Sequence, residues 1–290
     1  MNTTVFKTLL LREWMQHRLG WLLLGGVPLA IMLPLMSFGT VQVGGDGGIP
    51  SPGMVALMIG AGYVYFLLVL AGGVVAIQAP GLARRDRQDR SIEFWLSLPT
   101  SHTASVGATV LMHLLLLPLL ALGMAAVGAV LAGLIAVVRV HGAGGLMQMP
   151  WGTVMVVAVV ALARLALGVV LGVLWLSPLL LGAMAASAWL KRWGVPLVAA
   201  VLGVGGLLLD KLYDMPFVFE TIGNLFQRFA AAVTPRDANI SLGTPLDALP
   251  AWLWGDALRA LGELGSPLFF GAIATAAACF ALLVYRRTRP

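Results

Sequence analysis

Arg164 is the one Lys or Arg set deep inside a long apolar run of this 290-residue chain. Counted from Trp151 at a rise of about 1.5 Å per residue, it falls roughly 20 Å along a helix, near the middle of a hydrocarbon core about 30 Å thick. An unpaired charge there is costly, so the guanidinium must face a cavity, another helix or a second copy of the chain. Two uses fit: contact with an anion or lipid headgroup on a translocation path, or packing and snorkelling. His113 carries the same pair of readings more weakly, because a nearby carbonyl satisfies a neutral imidazole.

The densest polar chemistry lies in residues 82–100, LARRDRQDRSIEFWLSLPT. Seven of the thirty Asp, Glu, Lys and Arg residues fall there: Arg84, Arg85, Asp86, Arg87, Asp89, Arg90 and Glu93. Ile92, Phe94, Trp95, Leu96 and Leu98 follow. The segment is too polar to span a membrane. Residues 86–98 allow about three helical turns with Ile92 and Trp95 on one side and Asp86, Arg90 and Glu93 near another, and Pro99 discourages continuation. A short amphipathic helix at 84–99 is expected. It either lies at the interface, with arginines on headgroups and Trp95 as an anchor, or inserts into a groove of a cytosolic partner. Mixed charge favours docking, since a purely lipid-binding helix has little use for Asp86, Asp89 and Glu93.

Other chemistries lack their residues. No Gly-rich loop ends in Gly-Lys-Ser/Thr, so the chain has no phosphate-binding loop of that kind for ATP. His17, His102, His113 and His141 lie in different segments without HExxH or Cys/His spacing, and no metal site is expected. No GxSxG and no span with paired aspartates supports proteolysis. The thirteen Met residues are scattered and read as packing. Cys279 is single and forms no intramolecular disulfide. No catalytic residue and no directly bound cofactor is assigned.

The elements that must hold these groups are membrane helices. Hydrophobic residues make up 60% of the chain and charged ones 10%, and mean hydropathy is +0.95, values that exclude an ordinary soluble domain. Six apolar stretches, about 20–38, 54–79, 104–138, 151–188, 194–209 and 267–285, are candidate spans. All but the fifth comfortably reach the roughly 20 residues a crossing needs. Continuous rather than alternating apolar runs select helices over a barrel. The third and fourth runs exceed one span, yet neither holds the polar turn of a hairpin, so each is read as one long helix.

Cations orient the bundle. Lys7, Arg12 and Arg18, then the arginines at 84–90, then Lys191 with Arg192, then Arg286, Arg287 and Arg289 all fall on one side of a six-span topology. The positive-inside rule makes that side cytoplasmic, with both termini inside. The basic pI near 10.1 is topological and lipid-directed, with no nucleic acid implied. Span one lacks a cleavage site and is expected to stay as an anchor. Residues 3–19 place Val5, Phe6, Leu9, Leu10 and Trp14 at helical spacing and read as an interfacial helix, with a cytosolic extension of span one as the alternative. Residues 210–266 form the largest extramembrane loop, with helical-looking apolar pieces at 216–232 and 249–264 that read as short helices at or dipping into the outer leaflet, a small soluble cap being the alternative. Gly168 and Gly172 form a GxxxG pair that implies close packing, within the chain or between two copies.

This layout, an all-α six-span polytopic protein in one transmembrane domain over 1–290, resembles the permease subunit of ABC-2 type ATP-binding-cassette transporters. The local motif is DRQDRSIEFWLSLPTSHTASVGATV, residues 86–110. It resembles that family's charged stretch, glutamate, Leu-Ser-Leu-Pro and start of span three. Gly107 and Ala108 stand where members often have Gly-Lys. The resemblance implies that residues 84–99 are a cytoplasmic coupling helix with Arg87, Asp89, Arg90, Ser91, Ile92, Glu93, Phe94 and Trp95 facing the ATPase. It also implies two separate ATPase subunits that use ATP, and a second permease copy or a homologous one. Short re-entrant outer helices between spans five and six and a bacterial cytoplasmic membrane are implied as well, with export as the direction. A non-transporting scaffold or regulator that recruits a cytosolic protein through 84–98 is the alternative, while a lipid-acting enzyme has no acid, base or metal constellation.

Overall fold

A computed structural model describes residues 3–39, 48–85, 101–235 and 244–288. Among them the chain is helical: α1 (Thr3–Phe38), α2 (Pro52–Leu82), α3 (His102–His141), α4 (Gly144–Met147), α5 (Trp151–Leu190), α6 (Gly194–Tyr213), α7 (Phe217–Val233), α8 (Leu249–Gly262) and α9 (Pro267–Arg287). Five helical stretches are long and apolar enough to cross a membrane: α1, α2, α3, Trp151–Tyr213 and α9. The two longest apolar runs form single helices without a hairpin, as their lack of polar turn residues implied.

The stretch Trp151–Tyr213 bends back on itself. Lys191 takes a positive φ of 55° at the start of a single 3-10 turn, Lys191–Trp193. Gly194 then lies so close to the carbonyl of Ala186 that no side chain fits between them. In a continuous helix eight residues are separated by about 12 Å, so this contact marks a tight reversal that lays α6 against α5.

The N-terminal segment takes the second of its two sequence readings, an extension of span one. Residues 3–19 are not a separate interfacial helix but the first turns of the 36-residue α1. Nothing between Arg18 and Trp21 stops a helix, and the apolar stripe finds protein: Leu9, with Val5, Phe6 and Leu10, packs on Ala104 and Ala108 of α3.

Small residues set the α2–α3 contact. A side chain at Gly133 would come within 2.8 Å of the Ala56 carbonyl oxygen, one at Gly60 within 3.2 Å of the Ala129 carbonyl oxygen, and Gly128 seats the ring of Tyr63. Ala121, Ala125, Ala132 and Ala136 are fully buried along the same helix. Close backbone approach is how helices associate where lipid removes the hydrophobic drive. Between α5 and α9, Trp175 meets Phe269 edge-on and Trp189 stacks on Tyr285, so the two helices run side by side in the same direction. Leu35, Val69, Ile77 and Val201 are among many large apolar side chains left facing outward, as a bilayer-covered surface requires.

A π turn, Met112–Leu116, widens α3. Its cause is Pro118, which has no N–H for the Leu114 carbonyl and whose ring crowds it. The turn contains His113, and such turns often re-aim a side chain at a site.

Candidate functional site

Glu13 is fully buried near one end of the bundle, among groups drawn from three helices. Arg85, just beyond the last turn of α2, donates from Nη2 to Glu13 Oε1 at 2.9 Å and from Nη1 to Oε2 at 3.1 Å, a bidentate pairing. Thr109 of α3 donates its hydroxyl to Oε1 at 3.0 Å. His113 Nε2 lies 3.3 Å from Oε2 and donates to it, and its Nδ1 is buried without a partner among the described residues. Arg12 pairs with Oε1 as well. Arg85 Nη1 also meets His17 Nε2 at 3.0 Å, and the His17 and His113 rings stand edge to face at 4.5 Å.

Burying a carboxylate is costly unless charge and hydrogen bonds replace its water. Glu13 meets both conditions, with two guanidiniums, a hydroxyl and an imidazole. The result is a charge-assisted knot tying α1, the end of α2 and the first turns of α3 together. Glu13, His17 and His113 also bring potential metal-ligand atoms within 4.8 Å of one another. Arg85 bonds to both Glu13 oxygens and to His17, so a guanidinium already fills the cation's place among these donors.

The second polar cluster centres on Arg164, which is 3% exposed. Nε donates to Asp256 Oδ2 of α8 at 2.8 Å, and Nη2 reaches the same oxygen at 2.6 Å. Nη1 donates to the Ala232 carbonyl at 2.7 Å and Nη2 to that of Ala231 at 3.4 Å. These carbonyls end α7, where unsatisfied oxygens and the helix dipole favour a cation. Gly168 makes the approach possible, since a side chain there would lie 2.5 Å from the Ala232 carbonyl oxygen, and Gly172 faces Phe229. The GxxxG pair thus packs α7 within the chain. Arg164 pins α7 and α8 onto α5, beside a cavity of about 350 Å³ walled by Trp175, Asp256, Arg259 and the ion pair Arg228–Glu263.

Of the residues singled out in the sequence, His113 and Arg164 fall in these two separate clusters. Arg87, Asp89, Arg90, Ser91, Ile92, Glu93, Phe94 and Trp95 lie outside the described residues. Glu13 and Asp256 belong to no motif in the sequence, and Thr109 lies within the 86–110 stretch without a role assigned from it. The signal for Glu13 is its register: the buried residues of α1 are Leu9, Glu13, Trp21 and Gly25, all spaced by multiples of four, so the acid lies in the inward stripe. Asp256 carries no comparable mark, since its partner is 92 residues away.

No family model, curated protein or solved structure matches the chain.

Proposed function

We propose that the chain is the membrane-spanning permease subunit of an ABC-2 type transporter, an exporter driven by separate ATPase subunits that dock on residues 84–99. The observation that carries this reading is the Glu13 knot. Arg85 is the last described residue before the charged segment 86–100, and Thr109 and His113 follow that segment on α3. A displacement of the segment would therefore bear on α1, α2 and α3 together rather than on a slack loop.

Further support comes from arrangement. Counted as the two arms of one hairpin, α5 and α6 would make six crossings, and the positive-inside rule would then assign both termini, the 84–99 segment and Lys191–Trp193 to the cytoplasmic side. The expected apolar pieces of the 210–266 loop form α7 and α8, held to α5 by Arg164. On this topology they are the outer helices. ATP closure of the ATPase pair would move the docked segment, and differential binding in the two states would shift the spans between open and closed. The chain itself hydrolyses nothing.

A photocrosslinking residue at Trp95, activated in intact membranes, tests this reading. The expected product joins the chain to a soluble ATPase. A dominant adduct with a protein that has no nucleotide-binding fold favours the scaffold instead.

A further inference from the structure

A groove of about 260 Å³ runs between α1 and α2, walled by Gln16, His17, Gly20, Trp21, Leu24, Val74 and Gln78. Its walls are ordered by polarity. Gln16 and His17 lie at the end nearest the Glu13 knot, and Leu24 and Val74 at the other. Outward-facing Leu19, Leu22, Leu23 and Ile77 flank it, so its rim is a surface for acyl chains. Trp21 is 2% exposed, and its indole N–H is buried with no hydrogen-bond partner among the described residues. An indole N–H only donates, and a native structure rarely leaves such a donor unpaired.

From this geometry we infer a binding site for one glycerophospholipid of the surrounding bilayer, with an acyl-ester carbonyl accepting from the Trp21 indole. The headgroup end lies against Gln16, His17 and Gln78, and the chains leave past Leu24 and Val74. Tryptophan favours this depth, where the bilayer turns from polar to apolar. A polar-to-apolar groove open toward lipid fits a molecule with that same order, and a soluble solute has no counterpart for the apolar end. The inference requires only membrane insertion and is independent of the transport reading. It has a consequence for the knot: His17 forms part of the groove wall and also accepts a hydrogen bond from Arg85, so the lipid sits one residue from the Glu13 cluster.

Native mass spectrometry of the purified protein tests the site with two probes, a diester phosphatidylglycerol and its diether analogue of equal chain length, which lacks the carbonyls. The wild-type chain is expected to retain the diester about two- to tenfold more strongly, the range one hydrogen bond supplies. Trp21→Phe keeps a ring and removes the donor, and should abolish the preference. Gly20→Leu covers the case in which Trp21→Phe misfolds, because Gly20 has open space around it and the new side chain enters the groove. It should weaken retention of both lipids. Equal retention of diester and diether by the wild-type chain, a preference that survives in Trp21→Phe, or undiminished binding in Gly20→Leu would each overturn the assignment.

Discussion

Replacing Asp256 with Asn keeps the shape of the side chain and removes the counterion of Arg164. Both side chains are nearly fully buried, at 2% for Arg164 and 4% for Asp256. Breaking such a pair from one side costs about 3–5 kcal/mol, because the remaining charge has neither water nor partner. Arg164 keeps the carbonyls of Ala231 and Ala232, which places Asp256→Asn near the lower end, about 3 kcal/mol. The further contact of Asp256 with Arg259 adds little, since that arginine is largely exposed. The double variant Arg164→Met with Asp256→Leu removes both charges and leaves mainly the α7 carbonyls uncapped, about 1–2 kcal/mol. The double variant should therefore be more stable than Asp256→Asn alone, a non-additivity expected of contacting partners and not of distant, independent sites. Unfolding in mixed micelles by SDS titration, followed by tryptophan fluorescence, reads the order. Asp256→Asn within about 0.5 kcal/mol of wild type, or a double variant as unstable as the summed singles, refutes the pairing.

Glu13→Gln should cost less than Asp256→Asn in the same titration, about 2 kcal/mol, because the Arg85 side chain is 19% exposed and keeps His17 Nε2 as a partner; the reverse order would show that the knot is the drier of the two. Gly133→Leu should destabilise by about 1–3 kcal/mol through overpacking against Ala56, whereas Gly123→Ala, with open space around it, should be neutral or stabilising by up to about 1 kcal/mol. Gly194→Ala should force apart the reversal between α5 and α6. A cysteine pair placed across that turn, in a Cys279→Ser background, should then lose its oxidative crosslink while forming it in the parent.

The helices were legible because lipid demands long apolar runs and leaves few alternatives. Their unbroken length was legible too, since 104–138 and 151–188 lack the polar turn residues of a hairpin. The choice between an interfacial helix and an extension of span one was not, because an amphipathic stripe such as Val5, Phe6 and Leu9 looks the same whether it faces lipid or α3. Arg164 announced itself as a charge inside an apolar run, but its partners come from α7 and α8, far along the chain. Glu13 was hidden for another reason: an acid beside arginine on an amphipathic helix reads as a solvated residue, and the groups that bury it lie 72 to 100 positions away.

The transport proposal requires that this chain take its energy from an ATPase seated on residues 84–99. Affinity capture of the tagged chain from its native membrane, with ATP hydrolysis measured beside the Glu93→Lys variant, tests it most directly. The expected result is a stoichiometric ATPase with the wild-type chain, lost from a variant that still inserts normally. An intact chain that brings down no ATPase, even after crosslinking in the membrane, or a variant that keeps full hydrolysis, would overturn the transport proposal.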